Sequence, residues 1–257
     1  MSSALTTEVR GPGPVPKWEV PGWTERYGVV AGITGRGDGP VPFDLGLWGG
    51  GPVGDTMTRW RAFRRDFSGF PAQVLAHQIH GTRVLWHHHG GEGWTLLEDA
   101  DGHATASAGL LLLVTVADCI PVFLVAPRQG AVALLHAGWR GTASGILARG
   151  VGMLVDRVSA RPEDLVCHLG VGISGRGYEV GAEVMDGLGV ARMGEGPWHV
   201  DLRDVLNDQA ADLGIGTVSR SRYCSATHAS SFFSHRRSGG ADGRMVAYLG
   251  IPAADSR

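Results

Sequence analysis

The longest apolar stretch of the chain, GLLLLVTVADCIPVFLVAP at residues 109–127, is broken by Asp118-Cys119 and again by Pro121. A strand covered on both faces carries no charge in its interior, and proline cannot donate to a sheet ladder. The run therefore reads as two buried strands, at about 110–117 and 122–126, with a bulge or strand end at Pro121. The acid and the thiol then sit at a strand terminus facing a pocket. The bland alternative is a core-filling cysteine, since free Cys is among the most buried residue types. Thr115, Asp118 and Pro121 also make the run unfit to cross a bilayer. No charged leader followed by an apolar segment is visible at the N-terminus, so a membrane or secreted location is not expected.

Of 257 residues 41 are Gly and 13 Pro, yet 43% are hydrophobic, which points to a globular chain with many forced turns and excludes disorder and collagen. Lys and Arg (23) do not outnumber Asp and Glu (25), so the basic excess that nucleic-acid binding needs is missing. Three widely spaced cysteines, Cys119, Cys167 and Cys224, form no disulfide framework and imply a cytoplasmic chain with reduced thiols. Proline-rich residues 1–23 show no apolar period and read as an extended segment outside the core, leaving 24–257 as one domain. Residues 28–54 read as short strands and tight turns.

Further strand-like pieces fall at about 72–77, 83–87, 131–135, 166–171, 217–223 and 245–251. Helical spacing appears at 55–67, with Asp55 as its cap, and at 142–158, where Leu147, Val151, Leu154, Val155 and Val158 share a face despite Gly145, Gly150 and Gly152. It recurs at 178–188 and 202–213. The fold class is α+β, a mixed α/β single domain.

Two more interruptions accompany the first. AVALLHAGWRG (131–141) is an apolar strand ending in His136, a Gly-flanked Trp139-Arg140 turn and then the helix, the place where an α/β protein binds ligands. In AHQIHGTRV (76–84) His77 and His80 precede a turn glycine; read as strand, they point to opposite faces, so at most one belongs to a given site. The run His87-His88-His89 reads as a solvated turn. His80, Cys119 and His136 are a ligand set that suits Zn²⁺ with an open fourth position. Their gaps of 39 and 17 residues match no local zinc pattern, so spacing alone does not select them.

QIHG (78–81), TVADCIPVFL (115–124), HAGWRG (136–141), GVGISGRGYEVG (170–181) and FFSHRRSGGADGRM (232–245) occur in the order of the YfiH-like family. The chain thus resembles, from about 28 to 251, the proteins also called laccase-domain or polyphenol-oxidase-related and understood as purine nucleoside phosphorylases. The resemblance implies β-sheets sandwiched between helices, as in a cytotoxin's cysteine hydrolase domain, and a zinc ion on His80, Cys119 and His136. It also implies phosphorolysis of adenosine, inosine, guanosine and 5′-methylthioadenosine, with adenosine deamination in the repertoire. Asp44 and His235 stand where the family often has Asn and Tyr, and ITGRGDG (33–39) departs from its S-T-R-x-G-G, so the resemblance assigns no nucleoside-binding role to Asp44 or His235.

On that reading Asp118 is a candidate proton shuttle for deamination, and Arg36, Arg140, Arg236, Arg237 and Arg244 are candidate phosphate anchors, forked guanidinium suiting the task. Three competing uses of the residues exist. Cys119 as nucleophile with His136 as base gives a metal-free amidase or deamidase. Copper-dependent phenol oxidation is less favoured, because none of the six methionines falls inside the three ligand motifs to serve as an axial ligand. A metal-buffering or partner-binding protein would turn over no nucleoside. The oligomeric state is not legible.

Overall fold

The interrupted apolar run forms two strands that belong to different sheets. The structure, a computed structural model, describes residues 3–49, 51–88 and 91–254. Leu110–Val116 lies in a seven-stranded sheet ordered Val9–Arg10, Lys17–Glu19, Val30–Thr34, Met245–Gly250, Leu110–Val116, Ala72–Ala76 and Gly93–Leu97. Ile120–Ala126 lies in a second, ordered Ala4–Thr6, Thr217–Ser221, Val166–Leu169, Ile120–Ala126, Ala131–Ala137, Gly102–Thr105 and Val84–His87. Three residues, 117–119, join these two strands, so the sheets are held close at that corner.

Both faces of both sheets are covered, which is why their strands are near-continuous apolar runs. Along Leu110–Val116 the side chains alternate: Leu112, Val114 and Val116 join Phe123, Val125, Val132, Leu134, Ala247 and Leu249 between the sheets. Leu111 and Leu113 point the other way, against Trp60 and Phe63 of helix Val53–Asp66. On the far side, helices Ile146–Val158 and Leu202–Asp212 place Leu147, Leu154 and Leu206 on Leu124 and Leu135. The result is a helix, sheet, sheet, helix sandwich. Each fully buried Leu or Phe contributes about 1.5–3 kcal/mol, and Leu113→Ala would cost about 2–5 kcal/mol because neither sheet nor helix can close the hole. Among the described residues no helix is long and apolar enough to cross a membrane.

Several sequence expectations are corrected. Residues before 24 are not outside the core: Trp18, Val20 and Trp23 are buried and three short strands join both sheets. Buried Glu8 accepts from His168 Nε2 at 3.1 Å and Ser221 Oγ at 2.8 Å. Strands of two or three residues are too short to show a period. Helix Val53–Asp66 is capped at Pro52 with no side-chain bond, and Asp55 sits in its first turn instead. The 142–158 pattern is two helices, Trp139–Ala143 and Ile146–Val158, separated at Gly145 with φ +82°. Of the 178–188 pattern only Ala182–Gly187 is helical, since Glu179–Val180 pairs with Trp198–His199. Pro121 lies inside the strand, at its second residue, where its carbonyl still accepts from Gly170 N at 2.9 Å. His87 ends strand Val84–His87 and its Nε2 lies 3.0 Å from His103 Nδ1 rather than in a solvated turn; His88 is exposed, and His89 is outside the described residues.

Candidate metal centre and its cavity

Cys119 is delivered by the 117–119 corner. Asp118 there has φ +95°, a left-handed conformation a non-glycine residue holds only at a cost of about 1–3 kcal/mol. Three bonds hold it: Asp118 O accepts from Ile173 N (2.8 Å), Oδ1 from Ser225 Oγ (2.6 Å) and Oδ2 from Arg236 N (2.7 Å). The carboxylate is thereby engaged as a brace for the 225 and 236 loops.

His80 also has positive φ, +59°, in a loop that follows strand Ala72–Ala76. Asp101, fully buried, organises this loop: Oδ1 accepts from His80 N (2.9 Å), and Oδ2 from Gly81 N (2.7 Å) and Ile79 N (3.3 Å). Gln78 is bracketed by Thr115, taking its N–H at 2.8 Å and donating to its carbonyl at 2.8 Å. His136, near the end of strand Ala131–Ala137, has its Nδ1 2.9 Å from the same Asp101 Oδ1. Asp101 escaped the sequence reading. Its one signal there is an acid set directly before the buried Gly102–Thr105 strand.

One ligand atom from each of His80, Cys119 and His136 lies within 4.8 Å of the others, and the two imidazoles are 4.9 Å apart at 76°. Zinc bonds of ~2.0–2.3 Å would need only a small inward movement. Gly138 keeps the space clear, because a Cβ there would lie 3.0 Å from Cys119 Sγ and 3.1 Å from His80 Cδ2. The Asp101 bond occupies His136 Nδ1 and so turns Nε2 toward the cluster, the arrangement by which an outer carboxylate orients a ligating imidazole. The donor set, two imidazoles and a thiol behind a buried carboxylate, fits a metal ion.

Without an ion these groups form a charged pair. Burial pushes the Cys119 thiol up, but His136 and His80 outweigh it and hold the group at about 6. Burial likewise lowers His136, while Cys119 and Asp101 raise it to about 9. Asp101 is raised by burial and lowered more by His136 and the Gly81 and Ile79 amides, ending below the usual carboxylate value.

The cluster sits in a cavity of about 450 Å³ walled also by Trp48, Trp139, Tyr178 and His235. That size suits a small organic ligand. His77 borders this cavity too, its ring centroid 4.8 Å from that of Trp48, so both histidines of AHQIHGTRV face one site, against the strand-based expectation. The loop that follows Ala76 removes the strand alternation.

Residues 43–252 match the family described as multi-copper polyphenol oxidoreductase laccase. The chain belongs to this family. Purine nucleoside phosphorylase YlmD of Geobacillus stearothermophilus is 33% identical to it, over 87% of this chain and 90% of the relative. A purine nucleoside phosphorylase of Deinococcus radiodurans is 35% identical, over 74% and 75%. The crystal structure of Bacillus licheniformis YfiH superposes with a TM-score of 0.85 at 27% identity, covering 93% of this chain and 97% of that one.

The five arginines singled out in this laccase-family chain separate into two groups. Arg36 and Arg237 are turned away from the cavity onto Asp242, Arg237 at 2.6 Å, with Arg36 also over the Phe233 ring at 4.5 Å. Arg237 further donates to the carbonyls of Ser225 (2.9 Å) and Phe232 (3.1 Å), so the structure does not bring these two candidates to the cavity wall. Arg140, Arg236 and Arg244 line the cavity. Arg236 donates to Glu179 O and lies over Tyr178 at 4.9 Å. Arg244 Nη1 is taken by the carbonyls of Asp242 (2.9 Å) and Gly243 (3.2 Å). Arg140 rests on Trp139 at 4.4 Å with only a 3.9 Å contact to Glu183, and is the least committed. Asp44 accepts from Gly46 N (2.8 Å) and Arg244 N (2.7 Å), shaping a loop of the neighbouring wall.

Proposed function

We propose that this protein is a purine nucleoside phosphorylase that splits nucleosides such as adenosine, inosine, guanosine and 5′-methylthioadenosine at a zinc centre formed by His80, Cys119 and His136. The observation that carries the reading is the triad on the wall of a cavity that also carries Arg140 and Arg236. Relatives named purine nucleoside phosphorylase support it. Two imidazoles and a thiolate suit zinc, and among the described residues no methionine lines the cavity to favour blue-copper chemistry. Zinc held there supplies a Lewis acid with one open position.

The chain's own residues do the rest. Arg140, whose guanidinium fork is held only by the Trp139 ring and a 3.9 Å contact to Glu183, and Arg236 hold phosphate against the ribose. Trp139 and Tyr178 offer flat apolar walls for the purine. Asp101 keeps His136 in one tautomer. A deaminase reading gains nothing from Asp118, whose two oxygens already accept from Ser225 and Arg236. The Cys119–His136 pair would also suit a metal-free cysteine hydrolase. Metal analysis separates the two.

The test is to incubate metal-analysed protein with inosine, adenosine and 5′-methylthioadenosine, with and without phosphate, and to separate the products. Phosphate-dependent release of free base, lost together with zinc in Cys119→Ala, is the expected result. Full turnover by Cys119→Ala would sink the metal centre, and phosphate-independent inosine formation from adenosine would mark deamination.

A further inference from the structure

Phosphorolysis leaves the electron pair of the broken C1′–N9 bond on the purine, where it spreads to N7. A hydrogen-bond donor at N7 strengthens as that charge develops, so it accelerates the step rather than merely binding the base. With His80 and His136 in the metal triad, two imidazoles on the cavity wall are free for this, His77 and His235. His77 is engaged, its ring tilted at 35° to Trp48 with centroids 4.8 Å apart and its Nδ1 3.4 Å from Glu98 Oε2. His235 Nδ1 instead faces Arg244 Nη2 at 3.5 Å. Guanidinium has donors and no acceptor, so the imidazole nitrogen facing it must offer its lone pair and the ring proton must reside on Nε2. Arg244 is itself fixed, Nη1 on the Asp242 and Gly243 carbonyls and its backbone N–H on Asp44 Oδ1.

We propose that His235 is the leaving-group residue of this enzyme, its Nε2–H donating to purine N7, and that Arg244 is the positioning residue that sets its tautomer. This rests on the phosphorylase reading. A phosphate oxygen bonds to C1′ as C1′–N9 breaks, the bonding pair stays on the purine, and the proton that hydrogen phosphate gives up reaches the base through solvent. His235 shares its proton in the hydrogen bond without transferring it. Arg244, as the positioning residue, is removed from the phosphate anchors, which leaves Arg140 and Arg236.

The test compares two leaving groups at saturating phosphate: inosine, whose base needs help at N7, and 4-nitrophenyl β-D-riboside, whose phenolate departs unaided. Wild-type turnover of inosine is measured first; its absence overturns the phosphorylase reading and this assignment with it. Given that turnover, His235→Phe should lower kcat for inosine about 100-fold with little change in KM, and the loss should shrink to a few-fold on the nitrophenyl riboside. His235→Gln, which returns an N–H near the Nε2 position, should restore part of the inosine rate. Equal losses on both substrates, or an unchanged inosine kcat in His235→Phe, would overturn the assignment alone.

Discussion

Asp101 Oδ1 lies 2.9 Å from both His136 Nδ1 and the backbone nitrogen of His80, so one buried oxygen sets the position of two residues of the triad. The carboxylate has no exposed surface and its second oxygen takes two further amides, Gly81 and Ile79. The arrangement fixes a ring orientation and a loop with positive φ at once.

Replacing Asp101 with Asn keeps the volume but puts an amide donor among four donors. Metal affinity should fall about 10–100-fold, read by competition with a chelator. In the metal-free proteins, wild type should also be the more stable. Because Asp101 has its folded value held below the usual 3.8, its contribution is fully present above about pH 4 and is lost as pH falls through the lowered value. Denaturant melts of both proteins between pH 7 and 2 should therefore converge at the acid end; a constant gap would show that the charge is not what stabilises.

Gly138 offers a different lever. Its φ of −80° and ψ of 173° are open to any residue, yet a Cβ would stand 3.0 Å from Cys119 Sγ. Gly138→Ala should reduce zinc affinity at least about tenfold while Tm drops by no more than about 4 °C. Zinc retained at wild-type affinity would mean that the cluster has room to shift.

The arginines should divide by function as they do by contact. Arg140→Ala should raise the KM for phosphate about tenfold with melting nearly unchanged, since its side chain is mostly exposed and rests only on the Trp139 ring and a 3.9 Å contact to Glu183. Arg237→Ala should instead destabilise by about 1–3 kcal/mol, through the lost bonds to Asp242 and the Ser225 and Phe232 carbonyls. Steady-state kinetics at varied phosphate, paired with urea melts, separates the two effects.

The strands at 110–117 and 131–135 are legible because both sheet faces are covered, and His80, Cys119 and His136 stand out because each interrupts apolar sequence beside a turn. What escaped was long-range or very short. Asp101 reaches His136 across 35 positions from just before a strand of four residues that shows no period. Arg36 finds Asp242 across 206 positions, and nothing local tells its guanidinium from that of Arg140. The first 23 residues join both sheets through strands of two or three residues, below the length at which alternation can be read.

The three thiols should respond differently to an alkylating agent once metal is removed. Cys119, half-buried and held near 6 by His136 and His80, is mostly thiolate at neutral pH in the chelated protein. Its iodoacetamide rate should be flat above about pH 7 and fall about tenfold per unit well below pH 6, as the thiolate is titrated away. Cys167, sealed between strands and pushed up to about 12 by burial, should stay unmodified in the native chain. Cys224 is raised by burial and lowered more by hydrogen bonds from Ser174 and Thr227, but its surface is nearly closed. Peptide mapping after timed labelling resolves the three. Stoichiometric zinc should abolish labelling at Cys119 alone, because a coordinated thiolate is a poor nucleophile and Cys167 and Cys224 lie outside the triad. Unchanged labelling of Cys119 with zinc bound would place the metal elsewhere.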